Sequence, residues 1–179
     1  RDQAASGGYY IAMAGDKIYA NRNTWTGSIG VKTGTIYDVR GLLDKLGIKT
    51  NTITSGRNKA MGSMTEELTD EQREIMQSLI DEAYDQFVRI VAKGRNMSEG
   101  RVREIADGRI YSASQAKELG LIDGICNEET FFDTVRTFRG MKDVSFDFME
   151  PEESDSMYDL LQQFVQSKRS SGKADEYQQ

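Results

Sequence analysis

The spacing of apolar residues changes along the chain, and each change marks an element. Ile75, Met76, Leu79, Ile80, Ala83, Phe87, Ile90 and Val91 recur every three or four positions. That period predicts a helix over 70–93 with this stripe buried. Thr69 and Gln72 supply a capping box at its start, and Gly94 is the expected stop. Glu71, Arg73, Asp81, Glu82 and Arg89 fall on other faces and read as solvated. A shorter helix is expected over 36–46, with Tyr37, Leu42, Leu43 and Leu46 on one face and Gly47 after it. Residues 48–54 alternate and are rich in β-branched side chains, predicting a strand. Alternation also predicts strands at 17–21 and 121–125, and an extended stretch at 25–31. Further helices are expected at 98–106, 114–119 and 128–139. A last strand at 144–149 and an amphipathic helix at 155–167 lead into a polar tail from Ser170. Strand, helix and strand in succession suggest an α/β domain with parallel crossovers.

Two loops stand out against this pattern. Ser6 precedes Gly7 and Gly8, and an apolar helical run follows to Gly15. A serine at such an entry turn faces unpaired N–H groups and the positive end of the helix dipole. Negative charge developing on a carbonyl oxygen would meet fixed donors there, which suits a nucleophile. The same pattern also serves a plain serine N-cap with a flexible glycine pair. The second loop, Ser55 to Ser63, brackets Lys59 between Gly56 and Gly62. Lysine in a loop is ordinarily solvated surface.

Composition narrows the chemistry. The chain has 179 residues, 37% hydrophobic and 29% charged, enough for a buried core. A net charge of −6 argues against a nucleic-acid binder. Cys126 has no second cysteine to pair with, so a disulfide scaffold is excluded. No apolar run approaches the roughly 20 residues of a membrane span, and no signal peptide is visible in this sequence. Histidine is absent. That removes the Ser-His-Asp triad, the Cys-His dyad and every histidine-containing metal site. A hydrolase built from these residues needs a lysine, a carboxylate or a main-chain amine as base, and serine with lysine leads the known variants.

Three blocks then resemble one family in order. The first is Ala5-Ser6-Gly7-Gly8-Tyr9-Tyr10-Ile11-Ala12 with Thr26-Gly27-Ser28-Ile29-Gly30-Val31. The second is Ser55-Gly56-Arg57-Asn58-Lys59. The third is Asp107-Gly108-Arg109-Ile110-Tyr111 with Ala116, Leu119-Gly120-Leu121 and Asp123. Together they resemble the signal peptide peptidase A (protease IV) family of the crotonase/Clp-protease-like fold, in the short form of Gram-positive bacteria. The resemblance covers about residues 4–150. It implies that Ser6 is the nucleophile, Lys59 the general base and Ser28 the serine that holds the lysine. It also implies that the Gly7 N–H is one oxyanion donor, and it calls for no cofactor or metal. A free lysine, with a pKa of about 10.4, is a poor base at neutral pH; burial would lower it by penalising the charged form.

The resemblance also implies an α/β fold of repeated ββα units, with residues 1–150 as the peptidase domain and 151–179 as a helix and tail. In the family several units and a membrane anchor precede the nucleophile, whereas here Arg1 to Ala5 do. The expectation is that this is the C-terminal part of a longer chain. The other oxyanion donor would then lie upstream, and residues 1–179 alone would be inactive. Released signal peptides and other short hydrophobic peptides are the implied substrates. A homo-oligomeric ring is the implied assembly. The bacterial cell membrane, extracytoplasmic side, is the implied place. The rival reading is a non-catalytic scaffold of the same fold; an acyl-CoA enzyme of the crotonase type is a weaker third.

Overall fold

The computed structural model describes residues 2–140. The chain begins with β1 (Gln3–Ala5), α1 (Gly7–Ala12), β2 (Tyr19–Ala20) and β3 (Trp25–Gly27). It continues through α2 (Arg40–Lys45), α3 (Asp70–Arg95) and α4 (Glu99–Ile105). Last come β4 (Ile110–Ser112), α5 (Ala113–Glu118), β5 (Gly124–Ile125) and α6 (Glu128–Arg139). The architecture is mixed α/β, as the sequence implies. One sheet has the order β1-β3-β4, and β2 pairs with β5 in another. The β1–β3 and β2–β5 pairs are parallel, whereas β3–β4 is antiparallel. The strand and helix expected at 144–149 and 155–167, the tail, and the boundary at 150 lie outside the described residues. No described helix is long and apolar enough to cross a membrane.

Local signals set several boundaries. Thr69 and Gln72 cap α3 reciprocally, and Ser98 and Asn127 cap α4 and α6 through their side chains. Gly94 does not end α3. The helix runs on to Arg95 and closes at Asn96 in the left-handed conformation, φ 53°. Asparagine tolerates that region because its short polar side chain bonds locally.

Three expectations fail for one reason: local pattern does not supply a partner. Residues 36–39 are not helical, and α2 buries none of its residues; Leu42 and Leu46 are exposed. Residues 48–54 form no strand, and Ile53 is 98% exposed. A strand needs a neighbour to take its ladder bonds, and no described strand lies beside this one. In α3 the expected stripe is buried at Phe87 and Val91, half-buried at Ile75, Met76, Ile80, Ala83 and Ile90, and exposed at Leu79, while Val88 and Ala92, outside that stripe, are buried.

The core lies where the C-terminal half of α3 meets α1, α4 and α5. Tyr9, Ile29, Val88, Val91, Val102 and Leu121 are its largest fully buried side chains. The Tyr9 hydroxyl donates to the Leu121 carbonyl at 2.6 Å, and burial holds this phenol far above its usual pKa. That bond seats the face of α1 behind Ser6 on the segment after α5.

Asp123, from the third sequence block, is a junction. Its carboxylate accepts from Arg95 Nη1 at 2.8 Å, Lys17 Nζ at 3.0 Å and the Ile18 N–H at 2.9 Å. Burial alone would raise this carboxyl, but the bonds from Arg95, Ile18 and Lys17 outweigh it and hold the pKa at about 2, down from 3.8. A carboxyl depressed on folding contributes stability above its unfolded pKa and loses it as pH falls through the folded value. The stability advantage of the wild type over Asp123→Asn should therefore be full above about pH 4 and shrink toward pH 2. Urea midpoints of both proteins across that range check this; an advantage independent of pH would contradict it.

Candidate active site

Ser6 stands between β1 and α1 with φ 53° and ψ −120°. Such a conformation costs a non-glycine residue about 1–3 kcal/mol and persists where surrounding bonds enforce it. Two bonds do so here. The Ser6 N–H donates to the Gly27 carbonyl at 2.8 Å, and the Ser6 carbonyl accepts from Tyr10 N–H at 2.9 Å. The side chain makes no capping bond to α1. The N-cap explanation therefore does not account for this serine, and the residue is exposed.

Ser28 is its neighbour across the sheet. β1 pairs in register with β3, Ala5 opposite Gly27, so the next positions are Ser6 and Ser28. Ser28 also has a positive φ, 51°. Its N–H donates to the Arg109 carbonyl at 2.8 Å, and Gly108 N–H donates to the Ile29 carbonyl at 3.1 Å. A Cβ on Gly30 would come within 3.2 Å of Gly108 Cα, so the two backbones touch. The Asp107–Arg109 turn is held by the Asp107 carboxylate, which accepts from the Arg109 N–H at 3.1 Å and Nε at 2.8–2.9 Å. Thus the Asp-Gly-Arg turn of the third block forms the support beneath Ser28.

Ser6, Gly7 and Ser28 line one cleft of about 510 Å³. Its apolar wall includes Tyr10, Val31, Ala83 and Phe87. The Tyr10 and Phe87 rings meet edge to face at 5.2 Å between centroids and join α1 to α3. A larger cleft of about 790 Å³ adjoins it, sharing Val31 and Lys32. Pattern alone does not single out Lys32; its signal is a lone lysine four residues after Ser28 in a glycine-bounded run.

Lys59 does not line either cleft. It is exposed on a turn closed by its own N–H donating to the Gly56 carbonyl at 3.0 Å. That turn is fastened to the start of α3. Arg57 pairs with Glu71, and Gln72 Nε2 donates to the Arg57 carbonyl at 3.4 Å. The structure therefore brings Ser6, Ser28 and Gly7 together and leaves Lys59 at the surface. Among the described residues no cluster of three or more His, Cys, Asp or Glu side chains could hold a metal ion.

Comparison with known proteins adds an independent finding. The model of Peptidase family S49 matches residues 1–145. The chain is 43% identical over 145 residues to a protein of Enterococcus faecium provisionally named signal peptide peptidase SppA, covering 81% of this chain and 42% of that one. It is 37% identical over 125 residues to the chloroplastic serine protease SPPA of Arabidopsis thaliana, covering 69% of this chain and 18% of that one. A solved ClpP1 mutant from Listeria monocytogenes overlays with a TM-score of 0.42 at 17% identity, covering 72% of this chain and 55% of that one. The chain spans half or less of the length of the curated relatives it matches first.

Proposed function

The chain belongs to Peptidase family S49, and from that premise we propose that it is a serine endopeptidase with Ser6 as nucleophile and Lys59 as general base. One observation carries the reading: Ser6 is held in a strained turn with its hydroxyl free of capping, opposite Ser28 in an apolar cleft. In the first step the Ser6 Oγ attacks the peptide carbonyl carbon and its proton passes to the neutral Lys59 amine. The oxyanion meets the Gly7 N–H at the first turn of α1, where the helix has no acceptor of its own. The lysine returns the proton to the departing amine, leaving an acyl-serine. Water, deprotonated by the same lysine, then releases the acid and restores Ser6.

The cleft wall of Tyr10, Val31, Ala83 and Phe87 fits hydrophobic side chains. That supports short hydrophobic peptides, released signal peptides among them, as substrates, and for the whole protein we propose a membrane setting. Exposure of Lys59 bears on assembly. Lys59 stands outside the Ser6 cleft, so a proton-taking role requires its turn to be brought against that cleft in the working enzyme. The surface from Ile36 to Ile53 is rich in exposed apolar groups, Tyr37, Leu46 and Ile53 included. Such a patch marks a contact site, and we assign it to a homo-oligomer.

A fluorophosphonate probe tests the reading. Labelling at Ser6 in the whole protein, lost in Ser6→Ala, is the expected result. Absence of labelling under conditions where the protein is folded would favour a non-catalytic scaffold. Ser28→Ala separates the two serines: turnover should fall at least tenfold while Ser6 still labels slowly. Wild-type turnover by this variant would return Ser28 to a plain backbone role.

A further inference from the structure

Lys32 occupies a position for which the two-serine chemistry has no use. Of the side chains lining the Ser6–Ser28 cleft, it is the charged one. It also lines the adjoining cleft, so it stands where the two meet. Two other cations, Arg40 and Arg73, line the adjoining cleft but not the Ser6 cleft. Arg40 is bound to Asp38 and Glu67, at 2.8 and 3.3 Å. Lys32 makes no ion pair or side-chain hydrogen bond among the described residues. Its backbone belongs to the extended segment that follows β3 and joins no sheet.

We infer that Lys32 is a specificity-determining residue that takes a carboxylate of the bound peptide beside the cleft holding Ser6. This rests on the reading of that cleft as the peptide site. An unpartnered ammonium at the rim keeps its hydration in the free protein. A peptide laid across the clefts displaces some of that water and strengthens any charge pair formed there. Low-dielectric walls such as Tyr10 and Phe87 focus the field into the opening. The ammonium is a compact charge with rotatable donors, so it accepts a carboxylate without a fixed plane. The carboxylate has two sources, an Asp or Glu side chain near the scissile bond or the free end of the peptide. A hydrophobic peptide already released from a longer chain carries the second in every case.

The experiment uses the whole protein and fluorogenic hydrophobic peptides in matched pairs. In one series an Asn is exchanged for Asp at each position around the cleaved bond, with the C-terminus amidated. In the other the peptide is neutral and ends in either an amide or a free acid. Wild-type protein should favour one acidic member about two- to fivefold in kcat/KM, the range of a rim ion pair. Which series shows it identifies the source. Lys32→Gln should bring the ratio to one, and Lys32→Glu should reverse it in favour of the uncharged member. Binding of the same pairs to the Ser6→Ala protein, read by fluorescence anisotropy, should show the same preference. That readout needs no turnover, so it stands apart from the assignment of Ser6 as nucleophile. Equal kcat/KM and equal binding for every pair in the wild type, or a preference that survives in Lys32→Gln, would overturn the proposal.

Discussion

Ser6→Ala and Lys59→Ala, each made in the whole protein, are expected to lower hydrolysis of a hydrophobic peptide by about a thousandfold or more, and the double variant to be little worse. Residues that act as one unit are grossly non-additive, because removing either disables the other. Without the Ser6 hydroxyl there is nothing to acylate. Without the Lys59 amine the hydroxyl keeps its proton, and the strained turn presents a weak nucleophile. Folding should survive both changes. The Ser6 side chain makes no capping bond, and Lys59 is exposed. Circular dichroism and a urea midpoint close to wild type would therefore accompany the loss. Full turnover by Lys59→Ala would place the base elsewhere. Lys32, which lines the Ser6 cleft, would then be the first lysine to replace.

Much of the frame was legible because it is local. The start of α3 at Asp70 follows from Thr69 and Gln72, three residues apart, and the start of α4 from Ser98. These caps form within a single turn, so sequence spacing determines them. Ser6 was legible as a turn, but its geometry was not. Gln3–Ala5 is a strand, and Ser6 acquires its positive φ from pairing with Gly27 and Ser28, more than twenty residues away. The Asp-Gly-Arg turn matters through its contact with Ser28, which no spacing reveals. Residues 48–54 failed in the opposite sense. Their alternation is that of a strand, yet no described strand pairs with them. Lys59 lies in a shaped loop as read, and the structure leaves it exposed outside the Ser6 cleft, which local pattern does not encode.

Gly27→Ala is expected to be among the most damaging single-methyl changes in the chain. Gly27 has φ +83°, where an alanine costs roughly 1–2 kcal/mol. The added Cβ would stand 2.6 Å from Tyr111 Cδ2 and 3.3 Å from the Arg109 carbonyl oxygen. Tyr111 cannot swing aside freely, because its ring is buried and its hydroxyl donates to the Ile105 carbonyl at 2.8 Å. Overpacking of this kind costs about 1–3 kcal/mol more. The total expected loss is about 2–5 kcal/mol, read as a lower urea midpoint at unchanged slope. The same change reaches the site by a short path. The Gly27 carbonyl accepts the Ser6 N–H, and Gly27 sits opposite Ala5 in the ladder. If β3 moves away from Tyr111, the turn that strains Ser6 loosens with it. Fluorophosphonate labelling at Ser6 should then fall even at urea-free conditions where most of the protein is folded. Gly41→Ala is the control of opposite sign. Gly41 lies inside α2 with nothing within 4 Å of its added Cβ. Alanine there should stabilise by about 0.5–1 kcal/mol and leave labelling alone. A Gly27→Ala protein with the wild-type midpoint and labelling rate would mean that β3 is free to shift without disturbing Ser6, and the clamp described for the nucleophile would have to be abandoned.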